Sequence, residues 1–251
     1  MRGTWTIAKR EVVSFFVSPL AYVVLTAWAV LMGLQFYYFA SLAAAQPFTA
    51  GSGTGSPLAQ LFGNSVLFYI CALVIVPLLT MRLIAEESSS GTIESLLTAP
   101  VSEVGIVLGK FVAAMVFWVA LFVPTLMYVW LTSRFGDVDG GAIGAMYFGL
   151  FTLGLSWMSV GVLMSAIARN QLVAAMLTFL AVAGHFLLGL AQFVVPGDDA
   201  REIFEYVSVW SHLITFATGV VDTRYIVWDL SVTALALFLA VRVLESRRYE
   251  G

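Results

Sequence analysis

Long apolar runs separated by short polar segments make up most of this chain. Charged residues are absent from four long runs and one shorter run, which are 12–81, 111–133, 140–168, 170–197 and 230–241. An α-helix needs about 20 apolar residues to cross the hydrocarbon core of a bilayer. The first run is long enough for two such helices, and Pro47 together with the glycine- and serine-rich stretch 51–57 favours a turn that divides it.

This pattern predicts an all-α, polytopic membrane protein with a single transmembrane domain over residues 1–251. The spans are predicted to be helical, because a backbone exposed to lipid must satisfy its own hydrogen bonds. Their bounds are 20–41, 63–81, 105–132, 145–168, 172–195 and 225–243. The composition agrees with this class, since 61% of the residues are hydrophobic and 11% are charged, whereas about a quarter are charged in soluble domains. Small residues four positions apart permit close helix packing within the chain at Gly105 with Gly109 and at Gly161 with Ser165.

The basic residues are divided unequally between the two sides that six spans create. Nine lie on the side of the amino terminus, namely Arg2, Lys9, Arg10, Arg82, Lys110, Arg169, Arg242, Arg247 and Arg248, and three, Arg134, Arg201 and Arg224, lie on the other. Because Lys and Arg collect in cytoplasmic segments, both termini of this multi-pass protein are predicted to be cytoplasmic. The net charge of −3 gives no indication of nucleic-acid binding.

The residues before the first span predict an amphipathic helix in the membrane interface. Within residues 1–18, Trp5, Ala8 and Phe15 fall on one face at helical spacing, and a break at Pro19 follows. This elbow helix is either a simple anchor or part of a gate. A cleaved secretory signal is an alternative, although its apolar region would exceed the usual length of about 7–15 residues.

Residues 82–104 form a polar interruption between two spans. Glu86 and Glu87 extend from the inner end of the second span, and residues 88–91 provide a bend. Next, apolar residues at helical spacing, an acid in the first turn and a terminating proline predict a short amphipathic helix, formed by Ile93, Glu94, Leu96, Leu97 and Pro100. The glutamates can pair with basic residues of another protein, or the segment is a hydrated loop.

A resemblance to a known family supports the first of these interpretations. The stretch 81–102, followed by 108–111, closely resembles the loop between the second and third spans of type-2 ATP-binding-cassette exporter permeases. Further stretches resemble the gliding-motility (GldF-like) subfamily, at 18–25, 211–216, 219–224 and 241–248. The resemblance implies a coupling helix that docks in a groove of the ATPase subunit. The coupling residues on this interpretation are Glu86, Glu87, Gly91, Thr92, Glu94, Leu96 and Leu97.

The same resemblance implies a permease subunit that couples ATP hydrolysis by a separate chain to export, or to mechanical work on a partner outside the membrane. The implied partners are two copies of an ABC ATPase, a second permease that is a second copy of this chain, an extracytoplasmic GldG-like protein, and the lipid bilayer. A phosphate-binding loop requires Gly-x-x-x-x-Gly-Lys-Ser/Thr, and the nearest stretch has Val104 and Phe111 at its two ends. The chain is therefore predicted to be no enzyme and to hold no cofactor, with ATP and Mg bound by the ATPase.

A few side chains within the spans are candidates for other functions. His185, midway along the fifth span, is either a functional polar site or a neutral imidazole that donates to a backbone carbonyl. Ser156 and His185 loosely resemble the dyad of an intramembrane serine protease, although Trp157 occupies the position of a glycine in that pattern. An ion-coupled secondary transporter is a further alternative, but the spans hold few acids, and Asp229 is expected to reach water near the outer end of the sixth span. The lone Cys71 is expected to be a buried apolar residue.

Residues 196–224 are predicted to form a helical cap outside the membrane. They are too polar to cross, but they carry enough apolar residues for two short interfacial helices in a partly re-entrant arrangement. Gly219 can supply the turn that follows these helices, because glycine adopts backbone conformations that other residues resist. Asp222 is close enough in sequence to Arg224 or His212 for a charge-assisted hydrogen bond that holds the helix ends.

Overall fold

The structure, a computed structural model, describes residues 2–45, 61–91, 102–134 and 139–250. Within these ranges the chain forms helices and turns, with no strand, which confirms the predicted all-α class. The helices are α1 (Arg2–Val17), α2 (Pro19–Ala45), α3 (Val66–Thr80), α4 (Ala85–Ser89), α5 (Glu103–Phe122), α6 (Leu126–Thr132), α7 (Gly140–Ile167), α8 (Gln171–Leu190), α9 (Asp198–Val207), α10 (Val209–Ala217) and α11 (Thr223–Glu250). The central helix is α7, which packs against α3, α5, α8, α10 and α11.

Most of the predicted spans are long apolar helices in the structure. Among the described residues, five segments are long and apolar enough to cross a membrane: Pro19–Leu42, Glu103–Thr132, Gly140–Ile167, Gln171–Phe193 and Thr223–Arg247. They correspond to the first, third, fourth, fifth and sixth predicted spans. The second corresponds to α3, which has only 15 residues and rises by about 22 Å, less than the roughly 30 Å of a hydrocarbon core.

Although α3 is short, it connects the two ends of the bundle. Just before it, Gly63 lies against Leu213 and Ala217 of α10, at the end where α7 begins. Just after it, the backbone N–H groups of Ile84 and Ala85 donate to the hydroxyl of Ser165, at the end where α7 finishes (3.0 and 3.1 Å). With this shorter helix included, the described residues run from one end of the bundle to the other six times, while five of these segments are long enough to span a membrane.

The predicted elbow helix is α1, which lies along α5. Of its predicted apolar face, Ala8 and Phe15 are buried against the bundle, whereas Trp5 is 70% exposed. A Cβ atom on Gly109 would lie 2.9 Å from the side chain of Ile7, and the absence of that atom allows α1 to approach α5 closely. After a bend, α2 begins at Pro19.

The third predicted span is divided rather than continuous. Its first part, α5, ends at Phe122, and α6 begins only after a turn that contains Pro124. Proline lacks a backbone N–H and its ring obstructs the preceding turn of a helix, so the break falls where the ladder of hydrogen bonds must stop. The hydroxyl of Thr125 is hydrogen bonded to the carbonyl of Phe122 at 2.6 Å and lies 2.8 Å from the hydroxyl of Tyr147, which fixes the turn against α7.

At the opposite end from α1, the chain forms the two short helices that the sequence predicted. Most of α9 is exposed, whereas α10 is largely buried against α7 and α8. The hydroxyl of Ser208 accepts the N–H of Ser211 and so caps α10 where it follows α9. Trp210 stacks on Tyr69 of α3 with ring centroids 5.0 Å apart, so α10 covers the end of the short helix. We call α9, α10 and the turn that follows them the cap.

Candidate functional site

A cluster of four charged side chains joins three helices at the end of the bundle that carries α1. Lys110 of α5 lies with its Nζ 3.1 Å from Glu11 Oε1 of α1 and 3.0 Å from Glu87 Oε1 of α4. The guanidinium of Arg10 lies 3.2 and 3.4 Å from the same two carboxylate atoms. We call these four residues the elbow cluster. Through it, the segment after α3 is held to both the elbow helix and α5.

Burial makes the elbow cluster more than a surface ion pair. The side chain of Lys110 is 1% exposed, and those of Glu11 and Glu87 are 15% and 17% exposed. An isolated ammonium group in such a place costs several kcal/mol of desolvation, and a pair of hydrogen-bonded carboxylates offsets that cost. The buried ammonium group of Lys110 therefore requires a carboxylate beside it, and Glu11 and Glu87 each supply one.

A second attachment holds the segment to α7. The hydroxyl of Ser165 accepts the N–H groups of Ile84 and Ala85 and lies 3.3 Å from the carbonyl of Met81. One turn earlier, a Cβ atom on Gly161 would lie 2.4 Å from Thr80 Oγ1, so only a residue without a side chain fits there. The predicted small-residue pair Gly161 and Ser165 thus packs α7 against α3 and the following turn within one chain, as expected.

A third attachment comes from the carboxy-terminal helix. The guanidinium of Arg247 donates to the hydroxyl of Ser88 at 2.6 Å and to the carbonyls of Ile167 and Ala168 at 3.0 and 3.1 Å. It thereby satisfies carbonyl groups that the end of α7 leaves without helical partners. Sequence reasoning counted Arg247 only as one basic residue of the inner side, because no local pattern links it to Ser88, 159 residues earlier.

The predicted coupling residues are only partly within the described chain. Glu86 is exposed on α4, and Gly91 has a φ of +73°, which agrees with the predicted bend. Glu87 was expected at the surface, available to another protein, but it is paired within the chain to Lys110 and Arg10. The remaining four, together with the predicted amphipathic helix, lie outside the described residues: Thr92, Glu94, Leu96 and Leu97.

His185 is a neutral imidazole held between two helices. Its Nδ1 accepts the indole N–H of Trp157 at 3.3 Å, so the ring proton resides on Nε2, which donates to the carbonyl of Val207 at 3.1 Å. The hydroxyl of Ser156 points instead to the carbonyl of Leu153 at 2.9 Å. The serine and histidine of the protease alternative do not form a dyad, because both nitrogens of the histidine are already engaged.

At the cap, Asp222 pairs with Arg224, one of its two predicted partners. Its carboxylate accepts two hydrogen bonds from the Arg224 guanidinium at 3.1 and 2.8 Å, and it also accepts the backbone N–H of Arg224 at 2.9 Å. These contacts hold the pKa of Asp222 below its usual range. His212, the other predicted partner, donates from Nε2 to the carbonyl of Tyr206 at 2.9 Å and stacks on Tyr225.

Gly219 forms the predicted turn after α10. Its φ of +86° is a left-handed conformation that side chains disfavour. The N–H of Val220 donates to the carbonyl of Thr215 at 3.3 Å, which closes the end of α10 in a Schellman arrangement. Between α9 and the first turn of α11, an open cleft of about 650 Å³ has a mainly acidic and aromatic lining formed by Asp199, Glu202, Ile203, Glu205, Tyr206, Arg224 and Tyr225.

Asp229 does not lie where the sequence analysis expected. It was expected to reach water near the outer end of the sixth span, but it is 1% exposed. Its carboxyl group interacts with Thr152 and Ser156, near the middle of α7. The reason is that the parallel helices α7 and α11 are staggered, so that a residue in the second turn of α11 lies level with the centre of α7.

The fold and these contacts are those of a polytopic helical membrane protein. It has an elbow helix, a segment between its second and third crossings that is bonded to the neighbouring helices, and a cap at the other end. The family model for the ABC-2 family transporter protein matches residues 5–197, and the chain belongs to this family. It is therefore a membrane-spanning permease of the ATP-binding-cassette class, which works in a bilayer with an ABC ATPase partner. Comparison with curated proteins finds none that matches the chain.

Proposed function

We propose that this permease is the membrane subunit of an exporter in which a separate ATPase acts on the segment 82–104. The observation that supports this proposal is the set of hydrogen bonds and ion pairs that hold the segment to four helices. Within only eight residues, 81–88, it is bonded to α1 and α5 through the elbow cluster, to α7 through Ser165, and to α11 through Arg247. A hydrated connecting loop needs no such attachments.

These hydrogen bonds and ion pairs indicate how a displacement of the segment by the ATPase is transmitted to the transmembrane helices. The helix α4 has five residues, so it cannot move far relative to its neighbours without breaking a hydrogen bond or an ion pair. Displacement by an ATPase therefore either carries α1, α5, α7 and α11 along or exchanges the bonds of the elbow cluster. Both are two-state rearrangements of the kind that couple distant sites.

The two adjacent glutamates then have different roles. Glu86 is exposed and is suited to pair with a basic residue of the ATPase, together with the predicted helix that follows it. Glu87 transmits the displacement to Lys110 rather than binding the ATPase.

The further arrangement we propose has two copies of this chain and two ATPase subunits in a bacterial inner membrane, with the amino terminus inside, as in GldF-like permeases. The cargo is a lipid- or polysaccharide-related molecule or a peptide, or the cap and its cleft perform work on a GldG-like partner.

The experiment compares charge reversals at the two glutamates. Glu86→Lys is expected to weaken co-purification of the ATPase with a tagged permease, while the permease alone keeps its thermal stability. Glu87→Lys places a third cation beside Lys110 and Arg10 with only Glu11 to compensate, and we expect it to destabilise the permease alone by about 3–5 kcal/mol. Ser89→Ala, an exposed change on the same helix, serves as the control and is expected to do neither.

A charge exchange separates transmission from simple instability. Glu87→Lys combined with Lys110→Glu restores an ion pair between α4 and α5, so the double variant is expected to recover part of the lost stability and of the ATPase activity that depends on the permease. If Glu86→Lys and Glu87→Lys both leave assembly and hydrolysis unchanged, the segment does not couple the two subunits.

A further inference from the structure

The buried carboxyl group of Asp229 lies between α7 and α11 and takes no part in the coupling described above. The residue is 1% exposed, and its Oδ1 contacts no hydrogen-bond partner within the described chain. Its carboxyl group faces the hydroxyls of Thr152 and Ser156 in the middle of α7. One turn further along α11, the hydroxyl of Thr233 donates to the backbone carbonyl of Asp229 itself at 2.7 Å.

The hydroxyls around this carboxyl group also bond to carbonyl groups of their own helix. Ser156 Oγ lies 2.9 Å from the carbonyl of Leu153, and Thr152 Oγ1 lies 3.0 Å from the carbonyl of Gly149. A hydroxyl has one hydrogen to donate, and here the carbonyl one turn back in its own helix competes for it. Neither hydroxyl can donate fully to that carbonyl and to a carboxylate at Asp229 at the same time, whereas a carboxylic acid can donate its proton to either hydroxyl.

Among the described residues, no cation forms an ion pair with Asp229, and Arg224, on the same helix, is exposed and bound to Asp222. The helices α5, α7 and α9 pack against α11. Their titratable groups are Glu103 and Lys110 on α5, Tyr147 on α7, and Asp199, Arg201, Glu202, Glu205 and Tyr206 on α9. Of the remaining groups, Tyr225 stacks on His212, and His185 is held between Trp157 and Val207.

We propose that Asp229 is a proton-binding site within the membrane-spanning bundle. Its carboxyl group holds a proton while α7 and α11 are packed as in this structure, and it donates that proton in a hydrogen bond to Ser156 or Thr152. When separation of the two helices admits water, the O–H bond breaks, the proton passes to water, and the carboxylate is hydrated. An ionised carboxylate that is buried without a cation is much less stable than the neutral carboxylic acid, so the packed and opened arrangements bind the proton with different affinity.

The consequence is a thermodynamic link between the proton and the packing of α7 against α11. A movement driven from the ATPase side that separates these helices favours release of the proton, and closing favours its recovery, because linkage is reciprocal. The proton here is a ligand of the permease, in addition to whatever cargo it moves. The inference depends on the packing at Asp229 and not on the coupling role of the segment 82–104.

Infrared spectroscopy of the full chain in lipid nanodiscs tests the proposal. Near neutral pH we expect the carbonyl stretch of a protonated, hydrogen-bonded carboxylic acid, which shifts in D₂O and is lost in Asp229→Asn. The matched control is Asp222→Asn, which removes an exposed, ionised carboxylate and is expected to leave the band unchanged. Protein labelled with ¹³C at the aspartate carboxyl should show a shifted band, and this assigns the band to an aspartate even if Asp229→Asn fails to fold.

Two results would overturn the proposal. If the labelled wild-type protein shows no protonated aspartate near neutral pH, Asp229 is ionised in the packed state. If the band is present without sodium but disappears when Na⁺ is added at constant pH, the carboxyl group with its two hydroxyls is a metal-cation site instead. Supporting evidence is a band that is insensitive to Na⁺ and that changes in frequency in Ser156→Ala or Thr152→Val, since these variants remove an acceptor of the proposed hydrogen bond.

Discussion

At the scale of single residues, Lys110 shows how a buried charge can be kept and used. Two carboxylates, Glu11 and Glu87, contact the same ammonium group, and they belong to different helices. Loss of one carboxylate leaves the other in place, so the lysine never becomes a completely uncompensated charge. One of the two contacts can therefore be broken and remade while the other holds, as the proposed transmission of a displacement requires.

His212 gives a prediction for the pH dependence of the cap. Burial lowers its pKa from 6.5 to about 4, since the charged form is disfavoured there, and its Nε2 donates to Tyr206 in the neutral form. The folded protein thus binds fewer protons than the unfolded chain between pH 6.5 and 4. The stability contributed by neutral His212 is fully present above pH 6.5, and it falls as the pH is lowered toward 4, by up to about 3 kcal/mol.

Thermal unfolding of the purified permease as a function of pH checks this expectation. His212→Gln can still donate to Tyr206 but does not titrate, so its unfolding midpoint is expected to depend less on pH in that window than the midpoint of the wild type. Equal pH dependence of the two proteins would show that His212 is not held neutral in the folded state.

The sequence could identify polar residues of this kind but not their surroundings. The position of His185 in its span allowed two interpretations, and its contacts with Trp157 and Val207 could not be foreseen from either. The burial of Asp229 could not be read from its distance to the end of a span, because the stagger of α7 against α11 is set by packing along the whole helices. Likewise, no local pattern indicates that Glu87 turns inward while Glu86 faces out.

At the scale of helices, the short α3 and the buried α10 complement each other. A helix of 15 residues leaves part of the bundle unfilled near its beginning, and α10 occupies that space. The evidence is the contact of Gly63 with Ala217 and the stacking of Trp210 on Tyr69. The cap is therefore part of the packed bundle, and this explains why a segment too polar to cross the membrane has one largely buried helix.

The contact between α3 and α7 gives a prediction with a matched control. In Gly161→Ala, the added Cβ would lie 2.5 Å from Thr80 Cγ2 and 2.7 Å from Thr80 Cβ, so the helices must separate. We expect a loss of about 1–3 kcal/mol in the stability of the permease.

Gly184→Ala makes the same chemical change inside α8, where no atom lies within 4 Å of the new methyl group. It is expected to be neutral or slightly stabilising, because alanine favours a helix over glycine by about 1 kcal/mol. Similar thermal unfolding midpoints for the two variants would contradict this interpretation of the contact.

The element boundaries show which sequence signals are reliable. The elbow helix, the two cap helices and the turn at Gly219 were all predictable, because amphipathic spacing and glycine act locally. The division of the third span at Pro124 carried an equally local signal, but the apolar run continued through it and suggested one helix. The length of α3 was not predictable, since apolar composition extends beyond the residues that are helical.

At the scale of the whole molecule, both terminal helices meet the same segment. Arg10 of α1 contacts Glu87, and Arg247 of α11 contacts the neighbouring Ser88. The two ends of the chain therefore lie at one end of the bundle, which agrees with an even number of crossings. Which end faces the cytoplasm follows only from the distribution of basic residues, nine against three, and this orientation remains a prediction.

Labelling of single cysteines checks the orientation and the number of crossings together. Ser89 and Asp199 are both exposed, and three crossings lie between them, the divided α5 with α6, then α7 and α8. In a Cys71→Ala background, Asp199→Cys is expected to react with a membrane-impermeant thiol reagent added to intact cells from outside. Ser89→Cys is expected to react only after the inner membrane is permeabilised, because α4 belongs to the end that carries most of the basic residues.

Reaction of Ser89→Cys in intact cells with protection of Asp199→Cys would invert the orientation and place the elbow cluster outside, where no ATPase could reach it. Reaction of both from the same side would mean that one of the three crossings between them is not a crossing at all.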